Sequence, residues 1–175
     1  MAAHQMLWVW AVLVSAVAGW LDWRSRRIPN WLTLSGLGVG LTASGVALGW
    51  QGAQAGLAGT GLALGLLLPL VWLRALGAGD WKLMGALGAA LGPAQILRVL
   101  LASIFIAGIM AVAQITWQRR WLAALRNLLE LIQGFFIFGL KANPRITLDN
   151  AAMPSVPFGV AVAGATILCS WSAMV

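Results

Sequence analysis

The sequence predicts an all-α membrane protein that crosses the bilayer about six times and forms a single domain, residues 1–175. Of its residues, 61% are hydrophobic and 9% are charged, whereas a soluble domain carries roughly 25% charged residues. A water-soluble fold could not hide this much apolar surface, because folded proteins still expose a large area. The apolar residues also fall into separate long runs with basic residues between them, which is typical of membrane-spanning helices.

Each predicted helix is a mostly apolar run close to the roughly 20 residues that cross a bilayer. No Lys or Arg precedes the first run, and three arginines follow it, which favours a retained helix over a cleaved signal peptide. The apolar stretch over residues 82–117 is broken at Gly92-Pro93, and we divide it there. The predicted spans are residues 5–21, 31–48, 55–76, 83–97, 99–117 and 156–174.

The basic residues predict the orientation of these spans. With the N-terminus outside, the inside loops are residues 22–30, 77–82 and 118–154. Together with Arg74, in the turn before the second loop, they hold ten of the eleven basic residues, and only Arg98 lies outside. The net charge of +7 therefore indicates an orientation signal and contact with anionic membrane lipid, rather than binding to nucleic acid.

The third inside loop, residues 118–154, contains apolar residues at helical spacing with Arg126, Glu130 and Gln133 between them. This pattern predicts an amphipathic helix over residues 121–140 that lies in the interface. A spanning helix there would place Lys141 and Arg145 outside, so a cytoplasmic loop is the preferred interpretation.

Few residues in the chain can carry chemistry. One cysteine and one histidine are too few for a structural zinc site, for a disulfide within one chain or for a Ser-His-Asp arrangement. We therefore predict neither a metal nor a cofactor. The acids are Asp22, Asp80, Glu130 and Asp149.

Asp22 and Asp80 stand apart because the predicted topology places both at the inner face. Charged groups at membrane depth are costly and usually functional. Two neighbouring carboxyl groups cannot both ionise easily, so one keeps a proton, and aspartic proteolysis requires such a pair. The alternative is that both are interface residues, with Asp22 paired to Arg24 or Arg26 and Asp80 to Lys82.

Three segments make the prediction more specific. Gly77-Ala-Gly-Asp-Trp-Lys-Leu83 matches the GxGDxKL motif of type IV prepilin peptidases. Asp22-Trp-Arg-Ser-Arg-Arg-Ile-Pro-Asn30 resembles the family's other signature, and residues 156–164 (VPFGVAVAG) resemble a pattern at the start of its last helix. The chain is thus similar to this family of GxGD aspartic peptidases.

The resemblance implies that Asp22 and Asp80 are the catalytic aspartates. Lys82 corresponds to the motif lysine, which either positions an aspartate electrostatically or anchors in the lipid headgroups. Pro29 and Asn30 correspond to a structural Pro-Asn pair, with Pro29 expected in the first turn of the second helix. The motif glycines are Gly77 and Gly79, and glycines permit an irregular turn and close approach of a neighbouring helix.

The chain lacks the paired Cys-x-x-Cys motifs of larger members, so it resembles the short branch that serves Flp-type (tight-adherence) pili. The loop over residues 118–150 is longer than that branch leads us to expect. The resemblance implies an endopeptidase of the bacterial inner membrane that removes the short basic leader of a prepilin or pseudopilin at the cytoplasmic face. The sequence does not assign an oligomeric state.

Three alternatives stay open. A presenilin-like intramembrane GxGD protease usually places its partner aspartate in a Tyr-Asp pair, and this chain has no tyrosine. A non-enzymatic assembly subunit of a pilus or secretion system would use both aspartates structurally. A transporter would place the two aspartates in separate cavities.

Overall fold

The computed structural model describes residues 2–119, 121 and 156–174. Within those residues the protein contains helices and no strands, as the sequence predicts. The four helices are α1 (Ala2–Ser25), α2 (Asn30–Trp72), α3 (Ala78–Trp117) and α4 (Phe158–Met174). The amphipathic helix predicted over residues 121–140 lies, except for its first residue, outside the described part of the chain.

The number of long apolar helices is smaller than the predicted number of spans, about six. Three of the described helices are long and apolar enough to cross a membrane, over His4–Ser25, Asn30–Trp72 and Ala78–Trp117, and α4 is a shorter apolar helix. The count of six is therefore not supported. The difference arises because the second and third predicted spans form the two arms of α2, which are separated by the kink at Gly49, and the fourth and fifth form the two arms of α3, which are separated by the kink at Gly92.

Both long helices contain one glycine with non-helical backbone angles. Gly49 in α2 has φ 66° and ψ −153°, and Gly92 in α3 has φ 73° and ψ 177°. A side chain would make this positive-φ backbone costly, so glycine is the residue that adopts it readily. Pro93 follows directly and suits the first turn of a new helical arm, because its missing N–H is not needed there.

The two arms of α2, residues 30–48 and 50–72, lie against each other. An ideal β-carbon on Gly45 would be 3.7 Å from Ala53 Cβ, and one on Gly56 would be 3.1 Å from Leu41 Cδ1. Residues eight apart in a straight helix would be about 12 Å apart. Both contacts pair positions on either side of Gly49 in antiparallel register, so α2 bends back on itself.

The interior is formed where α3 packs against the other helices. Ser44 Oγ donates a hydrogen bond to the carbonyl oxygen of Ala89 over 2.8 Å, in a buried contact between α2 and α3. The largest fully buried apolar side chains are Leu83, Met84, Leu87, Ile96, Val99 and Val162. Large apolar side chains also point outward, including Phe105 at 73% and Trp117 at 91% exposure. An apolar outer surface suits a protein surrounded by lipid.

Candidate active site

Asp22 lies in the last turn of α1 and is buried, with 7% of its surface exposed. Its Oδ2 atom accepts a hydrogen bond from the backbone N–H of Gly159, in the first turn of α4, over 2.8 Å. An ideal β-carbon on Gly159 would be 2.9 Å from Asp22 Cβ and 3.0 Å from Oδ2. The two helices approach this closely because position 159 has no side chain.

Asp80 lies in the first turn of α3, three residues after the N-cap Gly77. Gly77 is extended, with φ −67° and ψ 140°, and an ideal β-carbon there would be 3.1 Å from Asp80 Oδ2. The Oδ1 atom of Asp80 is buried and has no hydrogen-bond partner among the described residues. The non-helical residue predicted before Asp80 is therefore Gly77, and it lies directly beside the Asp80 carboxyl group.

The structure brings the two aspartates near each other. Asp22 is close enough for its charge to act on Asp80, although they come from different helices. Arg26 also acts electrostatically on Asp22, as the interface-residue alternative expects. The proximity of the two carboxyl groups favours a carboxyl pair over a transporter with separate cavities.

Lys82 was expected either to position an aspartate or to anchor in the lipid headgroups, but the structure shows a contact that neither role includes. Its Nζ donates a hydrogen bond to Asn30 Oδ1 over 2.9 Å. Asn30 is the first residue of α2, and Pro29 is its extended N-cap, one residue before the first turn predicted for it. Since Lys82 belongs to one sequence signature and Asn30 to the other, this bond joins the two.

A second contact joins the same two segments. An ideal β-carbon on Gly79 would be 3.1 Å from Ile28 Cβ and 3.3 Å from the Ile28 carbonyl oxygen. The chain between α1 and α2 therefore packs directly on the first turn of α3. A β-carbon at position 79 would push Ile28 away by a few tenths of an ångström, so the second motif glycine has a packing role beside Asp80.

The sequence pattern around Gly159 (VPFG) predicts the start of the last helix but no contact with Asp22. The sequence shows a glycine at the start of an apolar helix, but a glycine there does not indicate that its N–H bonds to Asp22. Among the described residues, no group of three or more His, Cys, Asp or Glu side chains could hold a metal ion.

Comparison with known proteins gives one match. The model of the type IV leader peptidase family matches residues 9–112, which is more than half of the chain. The matched segment includes Asp22 and Asp80 and ends before α4. No curated protein and no solved structure matches the chain.

Proposed function

Because the chain belongs to the type IV leader peptidase family, we propose that it is a membrane aspartic endopeptidase that removes the basic leader of a type IV or Flp-type prepilin or pseudopilin. The family supports a protease with a prepilin substrate. The observation that carries the aspartic mechanism is the electrostatic proximity of Asp22 and Asp80 within the matched segment. Asp22 is buried and Asp80 is partly buried with a buried Oδ1 atom, each at the end of an apolar helix where an ion is expensive to keep.

The proposed reaction uses one ionised and one protonated carboxyl group. The carboxylate takes a proton from water, and the resulting hydroxide attacks the scissile carbonyl carbon. The acid donates its proton to the carbonyl oxygen at the same stage. Breakdown of the tetrahedral intermediate then passes a proton to the leaving amine, which becomes the N-terminus of the mature pilin.

The remaining motif residues support the pair by holding the two aspartate-bearing segments together. Lys82 and Asn30 share a hydrogen bond across the two signatures, and Gly79 allows Ile28 to pack on the first turn of α3. We assign Gly77 to the turn that leads into Asp80 and Pro29 to the start of α2. In this proposal none of them touches the scissile bond.

The proposed topology places the N-terminus outside the bacterial inner membrane and both aspartates near its cytoplasmic face. It also has α2 and α3 crossing the bilayer twice each, with turns at Gly49 and Gly92, for six crossings in total. A straight α2 of 43 residues would be about 65 Å long, roughly twice the 30 Å hydrocarbon core. The antiparallel contacts on either side of Gly49 support the double crossing.

Cysteine labelling tests this topology in a Cys169→Ala background. A membrane-impermeant thiol reagent added outside should label a cysteine at position 51, beside the turn at Gly49. It should not label a cysteine at position 26, beside Asp22. The reverse pattern would put both aspartates outside and contradict a prepilin substrate, whose leader is cytoplasmic.

Cleavage itself is tested with the purified protein in liposomes and a Flp-type prepilin as the probe. We expect a single cut between the basic leader and the apolar helix, identified from the mass of the released leader. A prepilin in which that junction is altered serves as the control substrate. An intact prepilin after prolonged incubation with folded protein would favour the non-enzymatic assembly subunit instead.

A further inference from the structure

The first turn of α4 supplies a hydrogen-bond donor to Asp22, although α4 lies outside the segment that matches the family. The bond from the Gly159 N–H to Asp22 Oδ2 is buried and joins residues 137 positions apart. This N–H is one of the four at a helix start that have no partner within the helix. Hydrogen bonds to a charged acceptor are stronger than neutral ones, and the helix N-terminus also favours negative charge. The contact therefore favours the carboxylate form of Asp22.

Asp80 has a different environment. Asp80 also lies at a helix N-terminus, that of α3, which favours negative charge. Its Oδ1 atom, however, is buried without a hydrogen-bond donor among the described residues. A buried carboxylate oxygen without a hydrogen bond is costly, whereas a neutral carboxyl group loses less on burial. Since Asp22 acts electrostatically on Asp80, a proton on one of them relieves their repulsion, and Asp80 is the better place for it.

We propose that Gly159 is a positioning residue of the aspartate pair: its backbone N–H holds Asp22 as the carboxylate, so that Asp80 carries the shared proton. This inference rests on the proposed function and adds to it a division of roles. Asp22 is the general base and Asp80 is the general acid. Gly159 acts through Asp22 and does not touch the substrate.

The assignment gives a balanced cycle. Asp22 takes a proton from water while the hydroxide bonds to the carbonyl carbon, and Asp80 gives its proton to the carbonyl oxygen. When the C–N bond breaks, Asp22 passes its proton to the leaving nitrogen. Asp80 takes a proton back from a hydroxyl of the intermediate, so both groups return to their starting forms.

Gly159→Ala tests the role of the donor. The new β-carbon would be 2.9 Å from Asp22 Cβ, an atom fixed close to its backbone, so the helices must separate and the hydrogen bond must lengthen. The matched control is Gly164→Ala in the same helix, whose β-carbon would meet its nearest neighbour, Ile106 Cδ1, at an ordinary 3.6 Å. We expect kcat to fall about 10- to 100-fold in Gly159→Ala, the range for losing a hydrogen bond to a charged group. KM should stay nearly constant, and Gly164→Ala should match the wild type.

The pH profile separates this role from a purely structural one. Among the described residues, the other charged groups that act on Asp22 are Arg26, directly after the end of α1, and Asp80 from α3, and both are kept in the variants. Without the Gly159 N–H as donor, the carboxylate form of Asp22 is less favoured. The acidic limb of the pH profile of kcat should therefore move to higher pH in Gly159→Ala. A variant that is only less well folded would lose activity without moving this limb.

A second readout does not depend on cleavage. Dicyclohexylcarbodiimide modifies protonated carboxyl groups in apolar surroundings, and peptide mass spectrometry locates the label. At neutral pH we expect the wild type and Gly164→Ala to be labelled at Asp80 more than at Asp22, and Gly159→Ala to shift label towards Asp22.

The outcomes distinguish the two proposals. If Gly159→Ala matches Gly164→Ala in kcat, acidic limb and labelling ratio, Gly159 has no positioning role. Labelling that favours Asp22 in the wild type would also overturn the inference. If the labelling follows the expected pattern but the wild type cuts no prepilin, the role of Gly159 at Asp22 is supported and the proposed function fails.

Discussion

Replacing Gly88 with alanine perturbs the closest approach between α3 and the second arm of α2. An ideal β-carbon on Gly88 would be 2.5 Å from the carbonyl oxygen of Gly59 and 2.6 Å from its carbonyl carbon. Carbon atoms pack best at about 3.5 Å, so the helices would have to separate by about 0.9 Å. The neighbouring atoms are backbone and cannot rotate away, so the strain spreads along the interface.

The expected loss of stability follows from two opposing effects. Overpacking of a well-packed interior typically costs about 1–3 kcal/mol, whereas alanine gains about 0.5–1 kcal/mol over glycine inside a helix. We expect Gly88→Ala to lower the free energy of unfolding by about 1–2 kcal/mol. Gly108→Ala is the matched control in α3, because nothing lies within 4 Å of its β-carbon. It should be neutral or slightly stabilising.

Steric trapping in bicelles measures these free energies without harsh detergent. Gly85→Ala provides an intermediate case, since its β-carbon would meet Leu64 Cδ2 at 2.8 Å and that side-chain end can rotate away. The expected order of stability is therefore Gly108→Ala, then Gly85→Ala, then Gly88→Ala. Equal stability of the Gly88 and Gly108 variants would refute the close packing described for these helices.

Two further predictions concern hydrogen bonds between helices. Lys82→Met and Asn30→Leu each remove the same hydrogen bond between these two residues. The double variant should therefore cleave prepilin no more slowly than the slower of the two single variants. Additive losses of rate would instead show that the two residues act separately. Ser44→Ala removes the buried bond to Ala89 and should lower the free energy of unfolding by about 0.6 kcal/mol, the average for such bonds in a membrane protein. Ser44 Oγ also lies 3.3 Å from the carbonyl oxygen of Ala90, so a loss above about 2 kcal/mol would mean that Ser44 does more than bond to these two carbonyls.

The sequence singled out the two aspartates that the structure brings near each other and one of the two glycines at which a long helix kinks. Asp22 and Asp80 could be found because ionised groups are rare in so apolar a chain and each begins or ends an apolar run. The break at Gly92-Pro93 could be found because proline cannot continue a helix without loss. Gly49 could not be distinguished among 21 glycines, since a positive φ depends on how the arms pack.

Contacts between distant residues account for what sequence reasoning missed. The Gly159 N–H bonds to Asp22 across 137 residues, and Lys82 bonds to Asn30 across 52. Almost every residue type has a backbone N–H, so the residue type does not indicate which N–H donates to Asp22. At position 159 the sequence shows only that the residue is a glycine and has no side chain. Hydropathy likewise locates apolar runs, but it does not predict the antiparallel contacts by which the two arms of α2 pack on each other.

The most direct test of the carboxyl pair is cleavage of a Flp-type prepilin by Asp22→Asn and Asp80→Asn in liposomes. Each amide keeps the shape of the side chain but cannot give or take the proton, so each variant should lose about 10²–10⁴-fold or more in kcat. Asp149→Asn and Glu130→Gln, which change acids outside both signatures, should cleave at the wild-type rate. Near-normal cleavage by either the Asp22 or the Asp80 variant, in protein that remains folded in the membrane, would contradict the aspartic mechanism.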